Sequence, residues 1–346
     1  MVKLLIVDDS VFMRTVIRDM VTKDPTIEVV GTASNGLDAL EKIQSLEPDL
    51  VTLDIEMPKM NGIQVLEELK KQRKRPKILM LSTLTSEGAE MTTRAIRLGA
   101  DDFMLKPKDI PHVRVIGDEL VTKLKHLMML PASPAVHKVS ATSGPATRVV
   151  LIGSSAGGPP MLDTLLAAIP QDLPAGIIVT QHMPTGFTAA LAERFNRIAS
   201  MPVKETENGD IIEVGKILLS KAGVHTIISN DMDANKTRLG KIIHSNTAPL
   251  HGVRPAVDKT FESAAKVYGK NIVSVILSGM GNDAGAGAQA IKEAGGTSLL
   301  CDEKDCLVYG MARSAIQKNA VDKVLPLAKL APEIERLVHQ MEAANV

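Results

Sequence analysis

The chain has 346 residues, enough for roughly two domains at about 150 residues each. Its 40 Lys and Arg balance 40 Asp and Glu, and it holds 5 Phe, 2 Tyr and no Trp, which excludes a broad nucleic-acid footprint, a polybasic membrane anchor and aromatic base-stacking platforms. Hydrophobic residues at 45% exclude disorder over most of the length. Along the first 130 residues, short apolar runs alternate with helical periodicity. The strand-like runs are Lys3–Val7, Ile27–Thr32, Leu50–Leu53, Lys77–Leu81 and Asp102–Leu105; the amphipathic segments are Val11–Thr22, Gly36–Ser45, Gly62–Gln72, Glu87–Leu98 and about Pro111–Leu130. Such alternation predicts a five-stranded parallel (βα)5 sheet covered on both faces.

The stretch Pro131–Thr147 is rich in Pro, Ser, Ala and Thr without periodicity and reads as a linker, giving domains over 1–130 and 148–346. Beyond it the alternation resumes, with strands over Arg148–Ile152, Gly176–Thr180, Lys216–Ser220, Ile272–Leu277, Thr297–Leu300 and Lys323–Leu325. The helices between and after them cover Pro160–Ala168, Thr188–Ala199, Ala256–Tyr268, Ala284–Ala294, Ala312–Lys318 and Ala331–Ala343. Two β-like runs, Val224–Ser229 and Thr237–His244, flank the polar Asn230–Lys236 and predict a hairpin. The expected second domain is therefore a doubly wound α/β fold with an antiparallel hairpin. Cys301 and Cys306 are too few for a disulfide framework and read as free thiols. The apolar start Leu4–Val7 is too short for a signal-peptide core, and no run of about 18 apolar residues occurs; the expectation is a cytoplasmic protein that is not membrane-inserted.

In a parallel sheet all strand carboxyl ends share one edge. In the first domain that edge gathers Asp8 and Asp9 after the first strand, Asp54 after the third, Ser82 after the fourth and Lys106 after the fifth. Clustered carboxylates repel one another, and a hard divalent cation such as Mg²⁺ relieves this. Carboxylates, a metal, a lysine and a hydroxyl suit acceptance of a phosphoryl group on Asp54. With Leu53-Asp54-Ile55-Glu56-Met57-Pro58, Gly62 and Lys106-Pro107, the segment resembles the receiver domain of two-component response regulators. That resemblance implies phosphorylation at Asp54, Mg²⁺ held by Asp9, Asp54 and the Glu56 carbonyl, Asp8 acting through water, support from Ser82 and Lys106, and an aromatic switch at Phe103.

In the second domain, Gly153-Ser154-Ser155-Ala156-Gly157 follows a strand and precedes a helix. It matches G-x-S-x-G, a tight turn that lifts a serine into the open, and lacks the lysine of a phosphate-binding loop. A serine nucleophile needs a base and the base an orienting acid. His182 follows the second strand and Asp283 follows the strand Ile272–Leu277, so Ser155, His182 and Asp283 share the strand-end edge. His251, in a loop before Arg254 and Asp258, is the rival histidine. The order Ser, His, Asp differs from the Ser, Asp, His order of ordinary α/β-hydrolases.

Together with Gln181-His182-Met183-Pro184, Arg254-Pro255-Ala256-Val257-Asp258 and Gly279-Met280-Gly281-Asn282-Asp283, the segment resembles the catalytic domain of CheB, the chemotaxis protein-glutamate methylesterases. The resemblance covers nearly the whole chain and departs at Ala156, where some members carry Thr. It implies hydrolysis of glutamate methyl esters and deamidation of glutamines on methyl-accepting chemoreceptors, an oxyanion hole near Met280, no cofactor for the ester reaction, and a chemotaxis histidine kinase as phosphodonor. It also implies that the receiver restrains the esterase until Asp54 is phosphorylated. The alternative, a response regulator whose second domain only binds a partner or nucleotide, differs in leaving Ser155 unreactive towards a serine probe.

Overall fold

The computed structural model describes residues 1–72, 74–106, 113–129, 144–232 and 238–343. They fall into two compact units, Met1–Pro134 and Ala135–Val346. In the first unit the strands β1 (Val2–Val7), β2 (Ile27–Ala33), β3 (Leu50–Asp54), β4 (Lys77–Ser82) and β5 (Asp102–Leu105) form one parallel sheet in the order β2-β1-β3-β4-β5. Helices α1 (Val11–Val21), α2 (Gly36–Leu46), α3 (Gly62–Leu69), α4 (Ser86–Leu98) and α5 (Val113–Met129) alternate with them. The central strands are apolar on both faces, with Leu4–Val7 fully buried, because helices cover each side. Helix starts are fixed locally. Ser10 caps α1 by accepting from the Met13 N–H, and Asn61 and Gln64 form a reciprocal capping box on α3. The strand order reverses between β1 and β3, which opens a crevice over their carboxyl ends.

The second unit is built on a seven-stranded parallel sheet in the order β14-β13-β12-β6-β7-β9-β8. Its strands are β6 (Val149–Ser154), β7 (Gly176–Gln181), β8 (Val203–Glu205), β9 (Ile217–Leu219), β12 (Ile272–Ile276), β13 (Thr297–Cys301) and β14 (Lys323–Leu325). Helices α6 (Gly158–Ala168), α7 (Phe187–Ile198), α8 (Val257–Tyr268), α9 (Gly285–Glu293), α10 (Gly310–Gln317) and α11 (Leu327–Ala343) pack around it. The hairpin β10 (His225–Met232) and β11 (Arg238–Ser245) forms its own two-stranded sheet. It is held against α8 where Thr260 Oγ1 donates to the Thr226 carbonyl and the Ile228 N–H donates to Ser263 Oγ.

Three features differ from the sequence reading. The edge strand β8 has only three residues, too few to show a period. Helix α11 begins at Leu327 and runs through Pro332, where the proline was expected to stand at the start. Of the expected linker, 131–143 lie outside the described residues; Pro145 bridges Glu213, and Ala146 is buried with its N–H bonded to the Ile212 carbonyl, as part of the second unit. Both cysteines are free thiols. Among the described residues no helix is long and apolar enough to cross a membrane.

Candidate functional site

In the first unit, the carboxylates of Asp8, Asp9 and Asp54 converge to within 4.8 Å of one another at the ends of β1 and β3. Asp8 and Asp54 are buried, whereas Asp9 is exposed. Lys106 Nζ lies 2.9 Å from Asp8 and 2.6 Å from Asp54, leaving the cluster with a net negative charge. Burial pushes the Asp54 carboxyl up to about 6, against the pull of Lys106, and the Asp8 charge adds to the rise. Burial opposes the Lys106 charge, but Asp54 and Asp8 hold its ammonium above the ordinary lysine range. Three carboxylates against one ammonium form an all-oxygen donor set that fits a hard divalent cation such as Mg²⁺.

The other residues of that edge are placed less uniformly. The Glu56 N–H donates to Asp54 Oδ1 at 3.3 Å, and its carboxylate accepts from Thr83 Oγ1, a contact without a sequence signal. Ser82, one residue beyond the pairing of Asp54 with Leu81, donates to the Gly88 carbonyl and accepts from Thr92 Oγ1. Its hydroxyl is thus bonded to α4 and not to the carboxylates. Phe103 is buried, with Lys123 Nζ 5.9 Å from its ring centre.

In the second unit, β6 and β7 pair in parallel with Ser154 opposite Gln181, so Ser155 and His182 leave neighbouring strand ends side by side. The His182 N–H donates to the Ser154 carbonyl at 2.9 Å. On the other flank the Ser155 N–H donates to the Ser278 carbonyl at 2.9 Å, beyond β12. Gly279 is close enough that a Cβ there would stand 3.1 Å from Ser155 Cβ. Gly157, at φ 76°, closes the turn into α6. Among the described residues Ser155 Oγ has no hydrogen-bond partner; such bonds often tighten only around a reactant.

His182 Nε2 lies 2.7 Å from Asp283 Oδ2, which leaves Nδ1 for a reacting proton. Asp283 also accepts from the N–H groups of Val257 (2.6 Å), Asp258 (2.8 Å) and Ala284 (2.9 Å). Burial alone would push the Asp283 carboxyl up, but His182 and the first N–H groups of α8 hold it below the usual carboxylate range. The arrangement is reciprocal, because Asp258, in the first turn of α8, accepts from the Gly287 N–H of α9 at 2.6 Å. Burial and the neighbouring Asp283 charge push Asp258 up. The rival His251 bonds Asp258 instead, with Nε2 2.9 Å from Oδ2, and its ring nitrogen and the carboxylates of Asp258 and Asp283 lie within 4.8 Å of one another. Met280 is 67% exposed, and among the described residues neither its N–H nor that of Ala156 has a protein acceptor.

Comparison with known proteins agrees on one family. Residues 150–334 match the CheB methylesterase family model, and residues 4–116 match the response regulator receiver domain. A protein-glutamate methylesterase/protein-glutamine glutaminase of Methanospirillum hungatei is 55% identical over 346 residues, covering 100% of both chains. Its counterpart in Pyrococcus horikoshii is 38% identical over 352 residues, covering 97% of this chain and 94% of its own. The crystal structure of the Thermotoga maritima CheB methylesterase catalytic domain superposes with a TM-score of 0.52 at 37% identity, covering 55% of this chain and 98% of that one.

Proposed function

The chain belongs to the CheB methylesterase family, and from that premise we propose that it hydrolyses glutamate methyl esters and deamidates glutamines on methyl-accepting chemoreceptors with Ser155, His182 and Asp283 as its triad. The observation that carries the triad is the 2.7 Å contact between His182 and Asp283 at the strand end beside Ser155. Ser155 Oγ attacks the side-chain carbonyl while His182 Nδ1 takes the hydroxyl proton. Asp283, held as an anion by α8, orients the ring and stabilises its cation. The Met280 and Ala156 N–H groups face the developing oxyanion; one such donor is worth about 10²–10³ in rate. His182 then returns the proton to the leaving group, releasing methanol from an ester or ammonia from an amide. Water activated by the same histidine cleaves the glutamyl-enzyme to glutamate and free serine.

The receiver domain supplies the control. Asp54 accepts a phosphoryl group from a chemotaxis histidine kinase, with Asp8 and Lys106 bordering the acceptor oxygen. Mg²⁺, when bound by Asp9, Asp54 and the Glu56 carbonyl, supplies charge neutralisation for the transferred oxygens. Phosphorylation raises the esterase rate, and the protein works in the cytoplasm on receptor segments there. A fluorophosphonate probe followed by peptide mapping tests the nucleophile: label on Ser155, abolished in Ser155→Ala, is expected. Labelling elsewhere, or none, would favour a binding module over an enzyme.

A further inference from the structure

Gln181 ends β7, is 2% exposed and spends its whole amide on the two strand ends that carry Ser155 and His182. Its Nε2 donates to the carbonyl of Ser155 at 2.9 Å and to the carbonyl of His182 at 2.9 Å. Its Oε1 accepts from Ser154 Oγ at 2.6 Å. Two carbonyls can only accept, so the amide has one workable orientation. Room for it is made by Gly158, where a Cβ would come within 2.4 Å of Oε1. We propose that Gln181 is a positioning residue of this esterase, a cross-brace that fixes the separation of nucleophile and base.

The proposal rests on Ser155 and His182 being that pair. Strand pairing aligns the two ends only as far as Ser154 and Gln181, after which both chains turn out of the sheet. Beyond that point one ladder bond, from the His182 N–H to the Ser154 carbonyl, ties the two main chains, and the Gln181 amide adds the bonds that reach the Ser155 and His182 carbonyls. A lost brace lets both reacting groups drift by a fraction of an ångström, which acts on proton transfer and attack rather than on substrate binding.

Gln181→Met keeps the length and removes both donors. In the full chain, methanol release from methylated receptor membranes should show kcat down by about tenfold to a hundredfold with KM little changed. Fluorophosphonate labelling should reach the parental end-point stoichiometry, which counts folded sites, at a correspondingly slower rate. Ser274→Ala, which breaks the buried 2.7 Å bond to Ser298 between β12 and β13, is the control for a merely structural loss: it lowers thermal stability with kcat unchanged. Should Gln181→Met give no folded protein, Gln181→Glu, which keeps the shape and turns oxygen towards both carbonyls, is measured in the same way. If Ser155→Ala is inert while the Gln181 variants label and turn over at parental rates per site, the brace is wrong. If Ser155→Ala itself still labels and releases methanol, the nucleophile assignment beneath it fails instead.

Discussion

Asp54 and Asp283 are each 1% exposed, yet their carboxyls are displaced in opposite directions. Asp283 meets three backbone N–H groups and a histidine, so burial there is outweighed; Asp54 meets one long N–H bond from Glu56 and one lysine that it shares with Asp8, whose own charge works against it. Asp54→Asn leaves Lys106 paired with Asp8 alone and should stabilise the first unit by about 1–2 kcal/mol near neutral pH. Because the folded value of about 6 lies above the ordinary aspartate value of 3.8, the folded state holds this proton more tightly than the unfolded one. The parent should lose stability as pH rises from about 4 to about 6 and then level off, while Asp54→Asn should lack that component. Urea melts of both across that range check it; parallel curves would contradict it. Asp283→Asn keeps the shape but upsets the histidine tautomer, and should lower kcat by roughly 10³–10⁴ with little change in fold. The strand-end placement of Asp54, Ser155, His182 and Asp283 was legible in the sequence. The hydrogen bonds of Gln181, Asp258 and Thr83 were not, since they depend on register and side-chain direction across many residues of sequence.

Elements with long periodic stretches were legible, and those defined by partners were not. All five strands and helices of the first unit stand near their sequence positions because central parallel strands need unbroken apolar runs. The strand β8 exists only through its pairing with β9, and α11 runs on through Pro332, its sixth residue, without the bond an N–H there would give to the Ala328 carbonyl. Helices α6 and α7 are locked by a feature no pattern announces, the fully buried ion pair of Arg194 with Asp163. Removing one partner leaves a buried charge, so Asp163→Ala should cost about 3–5 kcal/mol in denaturant unfolding of the second unit. The double change Asp163→Leu with Arg194→Met, which removes both charges, should cost much less; equal losses would contradict the burial argument.

At the scale of the whole chain, the zero net charge conceals a local excess of acid at Asp8, Asp9 and Asp54, and the composition that excluded nucleic acid was silent about it. The two units have separate sheets and separate strand-end sites, one suited to accept a phosphoryl group and the other to transfer an acyl group. Joining them in one chain has chemical sense if the first chemistry sets the rate of the second. The direct test is methanol release from methylated receptor membranes by the full chain, with Mg²⁺ and with or without acetyl phosphate. The account predicts a rate that rises with the phosphodonor, stays at its basal level in Asp54→Asn, and is absent in Ser155→Ala. Equal release with and without the phosphodonor, or release that survives Ser155→Ala, would contradict it.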